Sequence, residues 1–399
     1  MTKTPRRASP PSRDPNAIHD EHSFHPLQVH CIQKETAMLQ DNFPIRKVDH
    51  IRHYVGNARQ SAYFYRSVFG FNITAFHGLE TGLKHEVDWL LEQNDVKLLF
   101  TAPVRPGHAI AETLAIHGDF VQDIAFEVDD VDWSFNEAVR RGAKPAREPF
   151  TLKDDNGEVR LASIHIYGDT IHTFLNRDNF KGHFLPGFRE RFEAGEGIGI
   201  QEIDHCVGNV ELGQMNVWVK WYEDILGFKN IISFDDNDIS TEFTSLMSKV
   251  MASGNGRVKF PINEPAPGKK KSQIDEYLEF FGGAGVQHVA LRTDDIVDTV
   301  QKLKAKGMEF LRVPKTYYDM LPGRVGEIDE DVEVLSELGI LVDRDDEGYL
   351  LQIFTKPITD RPTLFYEIIN RKGATSFGKG NFKALFESIE LEQAVRGTL

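Results

Sequence analysis

The chain repeats itself, and a polypeptide built twice from one pattern is expected to fold twice into one architecture. Val48-Asp49-His50 through Phe71 parallels Ile203-Asp204-His205 through Phe228, each running strand, helix and a Gly-Phe ending. Val121-Gln122-Asp123-Ile124-Ala125 lines up in the same way with Val286-Gln287-His288-Val289-Ala290. The segments that follow keep one register: Val131, Phe135 and Ala138, like Ile296, Val300 and Leu303, fall at the i, i+4, i+7 spacing of one buried helical face. A third pairing sets Asp169–Asn176 opposite Asp360–Glu367, so that each half closes on an apolar strand. The halves meet in a charged, loop-rich stretch over residues 184–200. Recurring βα units flanked by short strands read as an α+β fold in which each half curves a sheet around a cavity.

A length of 399 residues supports that division, because single cores usually stop growing well before this size. The expected layout is a flexible arm over 1–43, a first domain over 44–184 and a second over 200–399. Hydrophobic residues at 40% and charged residues at 27% are those of an ordinary globular chain. A net charge of −15 argues against nucleic acid or an anionic membrane surface as partner. Cys31 and Cys206 are too few for a disulfide framework, no apolar run is long enough to span a bilayer, and no secretory h-region follows the N-terminal arginines. The expectation is a cytoplasmic protein.

The chemistry lies in what the duplication did not keep. His205 stands opposite His50, but His288 stands opposite Asp123, and Glu367 opposite Asn176. Side chains alternate across a strand, so His205 shares a face with Ile203 and Val207, His288 with Val286 and Ala290, and Glu367 with Phe365 and Ile369. A carboxylate buried among such neighbours costs several kcal/mol unless something compensates its charge. A divalent cation held by two imidazoles and one carboxylate does so, with positions left open for reactants. That ligand set is associated with non-haem Fe(II) oxygenases and is also acceptable to zinc or manganese. Taken one at a time these residues read as ordinary core or surface groups; their equivalent placement in a duplicated fold is what selects a metal site. Lys269-Lys-Lys271 and Glu327-Ile-Asp-Glu-Asp331 read as solvated surface.

Several long runs add a resemblance: Ile203-Asp-His-Cys-Val-Gly-Asn-Val210, Lys259-Phe-Pro-Ile-Asn-Glu-Pro265, Gly285-Val-Gln-His288, Gly348-Tyr-Leu-Leu-Gln-Ile-Phe354 and Gly378-Lys-Gly-Asn-Phe-Lys-Ala-Leu-Phe386. From about residue 45 to the end the sequence resembles the 4-hydroxyphenylpyruvate dioxygenase family of the vicinal-oxygen-chelate superfamily. The resemblance implies two tandem-duplicated vicinal-oxygen-chelate domains built from βαβββ units, each with a curved open sheet, and a closing C-terminal helix. It implies Fe(II) on His205, His288 and Glu367, with 4-hydroxyphenylpyruvate and O2 converted to homogentisate and CO2 in tyrosine breakdown. The substrate would bring its own 2-oxo acid to the metal. Ser248, Pro261, Asn263, Gln273 and Gln287 would surround it, Gln352 would lie near the metal-bound groups, and Phe354 and Phe365 would sandwich the ring. A homodimer or homotetramer is expected. Phe382, Leu385, Phe386 and Ile389 give the last helix an apolar face after a glycine hinge, and the resemblance brings Asn381 and Phe382 up to the ligand. Sister readings are 4-hydroxymandelate synthase and a non-enzymatic binding protein on the same fold.

Overall fold

The computed structural model describes residues 43–235, 241 and 243–399. The arm expected over residues 1–43 lies outside them except for Phe43, whose buried ring packs against Trp133 and Phe174.

The first half runs β1 (Ile45–Tyr54), α1 (Ala58–Ser67), β2 (Asn72–His77), β3 (Glu86–Gln93), β4 (Val96–Pro103), α2 (Ala109–His117), β5 (Phe120–Val128), α3 (Val131–Arg141), β6 (Pro145–Asp154), β7 (Gly157–His165), β8 (Ile171–Asn176) and β9 (Arg189–Glu193). The second runs β10 (Ile200–Asn209), α4 (Met215–Leu226), β11 (Lys229–Phe234), β12 (Ser245–Ala252), β13 (Lys259–Ala266), α5 (Gln273–Phe281), β14 (Gly285–Thr293) and α6 (Ile296–Ala305). Three short helices follow, α7 (Lys315–Asp319), α8 (Leu321–Val325) and α9 (Val332–Leu338), then β15 (Leu341–Arg344), β16 (Tyr349–Phe354), β17 (Phe365–Lys372) and the terminal α10 (Phe382–Arg396). The twinned helices start alike: Asp130 caps α3 and Asp295 caps α6, each carboxylate accepting a backbone N–H of the first turn. The expected faces are buried, Val131, Phe135 and Ala138 on one helix and Ile296, Val300 and Leu303 on the other.

Each half forms one mixed, curled sheet, and the strand orders superpose. The second reads β11-β12-β13-β10-β14-β17-β16-β15, and the first reads β2-β3-β4-β1-β5-β8-β7-β6 with β9 added beside β2. The stretch read as loop between the halves therefore contains a strand, which covers an edge that would otherwise be free. One pairing needs correction. Asp123 lies beside Ile171 on β8 as His288 lies beside Phe365 on β17. In that register the partner of Glu367 in the first half is Thr173, and Asn176 matches Asn370.

The halves interlock by exchange. Asn94 Nδ2 donates to Ile200 O across 2.6 Å, and Asn255 Nδ2 donates to Ile45 O across 2.9 Å. Tyr65 of α1 donates to the Tyr366 hydroxyl of β17 at 3.0 Å, and Tyr222 of α4 reaches His172 Nε2 of β8 at 2.9 Å. His172 Nδ1 lies 2.8 Å from Ile124 O, so that nitrogen carries the proton and Nε2 accepts from the tyrosine. Phe126 and Phe174 of one half share a continuous core with Phe228 and Phe260 of the other. Each such side chain stabilises the fold by about 1.5–3 kcal/mol relative to exposure. Among the described residues no helix is long and apolar enough to cross a membrane.

Candidate metal centre

The ladder explains why three residues far apart in sequence converge. His205 on β10 pairs with Ala290 on β14, Ala290 pairs with Glu367 on β17, and Glu367 pairs with Phe354 on β16. One row across the sheet thus holds an imidazole and a carboxylate with only a methyl group between them. His288 stands two residues before Ala290 on the same strand and so on the same face. Their ligand atoms all lie within 4.8 Å of one another, with Glu367 Oε2 at 3.2 Å from His205 Nε2 and 3.3 Å from His288 Nε2. All three residues are buried.

The surroundings aim the rings. Asp204 Oδ1 accepts from His205 Nδ1 at 2.7 Å, and Arg371 grips both oxygens of Asp204 at 2.7 and 2.8 Å. Gln287 Oε1 lies 3.2 Å from His288 Nδ1. With both Nδ1 atoms engaged, both Nε2 lone pairs face the carboxylate, the orientation that metal ligation requires. Burial pushes the Glu367 carboxyl up, but the two imidazoles overcome it and bring it down to about 2. Burial pulls His205 down, yet Glu367 and Asp204 carry it above its ordinary value; at His288 burial wins and the ring stays below it. A divalent cation bound here would take over from the imidazoles the task of offsetting the Glu367 charge, since ligation needs neutral rings and an ionised carboxylate. Two neutral nitrogens and one carboxylate oxygen, oriented from behind and closed to bulk water, fit a divalent transition metal.

The ligands open onto one cavity. Ser248, Pro261, Asn263, Gln273 and Gln287 line it, as do Gln352, Phe354, Phe365 and Phe382. Asn381 is the one expected contact that does not. It is fully buried below the lid helix, where its side-chain oxygen accepts from the Tyr317 hydroxyl at 2.6 Å and from Arg324 at 3.2 Å. Its place is the hinge. Gln352 Oε1 is buried beside the His/His/Glu cluster without a partner among the described residues, and a Cβ on Gly378 would come within 2.2 Å of it. Gly378 also has φ +76°, which only glycine adopts without strain.

Sequence reasoning missed Phe377, whose ring meets His205 edge-on at 5.1 Å with the Arg371 guanidinium 5.3 Å from its centroid. Its twin is Phe184, edge-on to His50 at 5.0 Å with Arg177 at 4.7 Å. Asp49 likewise binds His50 and Arg177. The first half carries the same support without the same three side chains: Asp123 stands where the second half has an imidazole, Thr173 stands where it has the carboxylate and donates to Asp123, and Phe184, Leu185 and Phe188 pack with Leu90, Leu99 and Leu161.

A family model described as Glyoxalase/Bleomycin resistance protein/Dioxygenase superfamily matches residues 47–172 and 202–353, one match on each half. The chain is 47% identical over 380 residues to a 4-hydroxyphenylpyruvate dioxygenase of Neurospora crassa, covering 88% of this chain and 92% of that one. It is also 47% identical over 363 residues to one of Dictyostelium discoideum, covering 88% and 99%. Among solved structures, a mutant of 4-hydroxymandelate synthase from Streptomyces coelicolor superposes with a TM-score of 0.77 at 31% identity, over 88% of this chain and 99% of that one. With a duplicated fold, a His/His/Glu cluster that could hold a metal ion found in one half among the described residues, and near-full-length identity of this order, the chain belongs to the 4-hydroxyphenylpyruvate dioxygenase family.

Proposed function

We propose that this chain converts 4-hydroxyphenylpyruvate and O2 to homogentisate and CO2, the ring being hydroxylated as the side chain migrates, in tyrosine catabolism. The observation that carries the reading is the cluster of His205, His288 and Glu367, present in one half only among the described residues and opening onto a cavity walled by phenylalanines and a few amides. Fe(II) is the metal we assign to it, and when bound it supplies the activation of O2 that no side chain can. The protein's own contribution is placement. Phe354 and Phe365 offer flat apolar walls to the ring, worth about 0.5–1.5 kcal/mol beyond area burial. Asn263, Gln273 and Gln287 would orient the substrate's phenol or carboxylate through neutral hydrogen bonds, with Ser248 and Pro261 beside them. Gln352 keeps its unpartnered oxygen beside the position of the 2-oxo acid, and Phe377, Phe382, Leu385 and Phe386 exclude water from above.

In this reading residues 44–184 form the metal-free copy and 200–399 the catalytic one, within a dimer or tetramer in the cytoplasm. The test is anaerobic addition of 4-hydroxyphenylpyruvate to Fe(II)-loaded protein, followed by air and chromatography. A visible charge-transfer band and then homogentisate are expected. A 4-hydroxymandelate product would reassign the reaction, and a zinc form that turns over equally well would remove the iron.

A further inference from the structure

A reaction of two substrates under a closed lid raises a question of access. The aromatic acid fills the main cavity, yet O2 must still reach the metal after it. A second, smaller chamber lies beyond Gln273, Gln287 and Phe365, the three side chains that line both spaces. Gln287 Nε2 and Gln273 Oε1 are 3.4 Å apart in this partition. Phe365 stacks on His288 with ring centroids 4.8 Å apart, so a single ring separates the chamber from a metal ligand.

Leu311, Ile389, Pro357, Pro362 and the Phe365 ring give it an apolar side, opposite Thr355, Thr363 and the hydroxyl of Tyr277. Most of the polar groups around it have partners of their own, Glu392 pairing with Lys356 at 3.2 Å. Thr355 Oγ1 accepts from Tyr366 N–H at 3.0 Å, the Tyr277 hydroxyl donates to Val286 O at 3.1 Å, and Glu276 accepts from Arg396 at 2.7 Å near the outer end. The centre of a water-sized molecule has about 30 Å³ in which to move. That is room for one or two very small molecules and far too little for an aromatic acid. Water gains little in such a space, because few free polar partners remain, whereas an apolar gas loses nothing.

We propose that this chamber delivers dioxygen to the metal from behind Phe365 while the aromatic acid occupies the main cavity. The inference rests on the oxygenase reading above. Filling the chamber from a wall remote from the organic substrate tests it: Leu311→Phe should lower kcat/KM for O2 several-fold, with metal content and the anaerobic Kd for 4-hydroxyphenylpyruvate at parental values. Leu311→Ala, which widens the chamber, should not lower it. Xenon-pressurised crystals of the parent chain, a measurement independent of how the variants fold, should show xenon between Leu311, Ile389 and Phe365. An unchanged O2 dependence in Leu311→Phe, a fall in kcat alone as expected if the chamber only releases CO2, or xenon confined to the main cavity would each overturn the proposal. Homogentisate formation by the parent chain judges the oxygenase reading separately, so the two failures are distinguishable.

Discussion

At the scale of single residues the site is a matter of charge removed from water. Replacing His205, His288 or Glu367 by alanine leaves two donors where three are needed, and we expect metal content, measured by elemental analysis after dialysis against Fe(II), to drop from stoichiometric to undetectable. Full turnover in any of the three would falsify the metal assignment. Asp204 acts one bond further out. Because it fixes the ring of His205 and is itself neutralised by Arg371, Asp204→Asn should weaken metal affinity by about 10- to 100-fold without unfolding the chain. Competition with a chelator measures this, and parental affinity would remove Asp204 from its role. These ligands were legible in the sequence because metal coordination constrains residue type and strand parity together. The small group between them was not, since nothing distinguishes Ala290 from other strand alanines until the ladder places it between His205 and Glu367.

At the scale of elements the start of α10 is anchored by a knot of hydrogen bonds. Asn381, Tyr317 and Arg324 tie the turn before α10 to the helical insertion that only the second half carries, and Arg324 also donates to Gly380 O. Arg324→Ala should loosen this turn, seen as faster tryptic cleavage at Lys379 or Lys383 with metal content unchanged; identical digestion rates would count against the clamp. Gly378→Ala sets a methyl group against Gln352 in a backbone conformation costing about 1–2 kcal/mol for other residues, and should reduce kcat while sparing metal binding. The expectation that Asn381 meets the ligand comes from the resemblance, but a helix start turns successive side chains to different sides, and Asn381 turns to Tyr317 and Arg324. The misplaced third pairing has a similar cause. Apolar strands carry few markers of register, and the arginines that fix it, Arg177 and Arg371, declare themselves only through their grip on Asp49 and Asp204.

At the scale of the whole molecule the duplication was plain in the sequence, whereas the manner in which the copies join was hidden, because it depends on hydrogen bonds between residues distant in the chain. Two of these joints contain buried histidines, and burial lowers both His53 and His172 to about 3. Each is neutral in the folded state and regains an ordinary value near 6.5 when unfolded. The unfolded chain therefore binds more protons as pH falls, and the stability these groups contribute is complete above about pH 6.5 and declines from there toward about pH 3. Thermal melts should show a midpoint that drops on acidification through this window, and a flat profile between pH 7 and 4 would contradict the account.

The exchanged tyrosines have a consequence for how such a molecule can change. In the proposed reading the first half does no chemistry and would ordinarily be free to decay, but the strand bearing Glu367 also bears Tyr366, which is fastened to Tyr65 and His53 of that half. Substitutions of the Asp123 and Thr173 side chains leave this fastening alone, although His172, next to Thr173, is itself joined to Tyr222. Changes cannot reach the back of the silent half without shifting the strand on which the reaction depends, so the inert twin persists as a foundation.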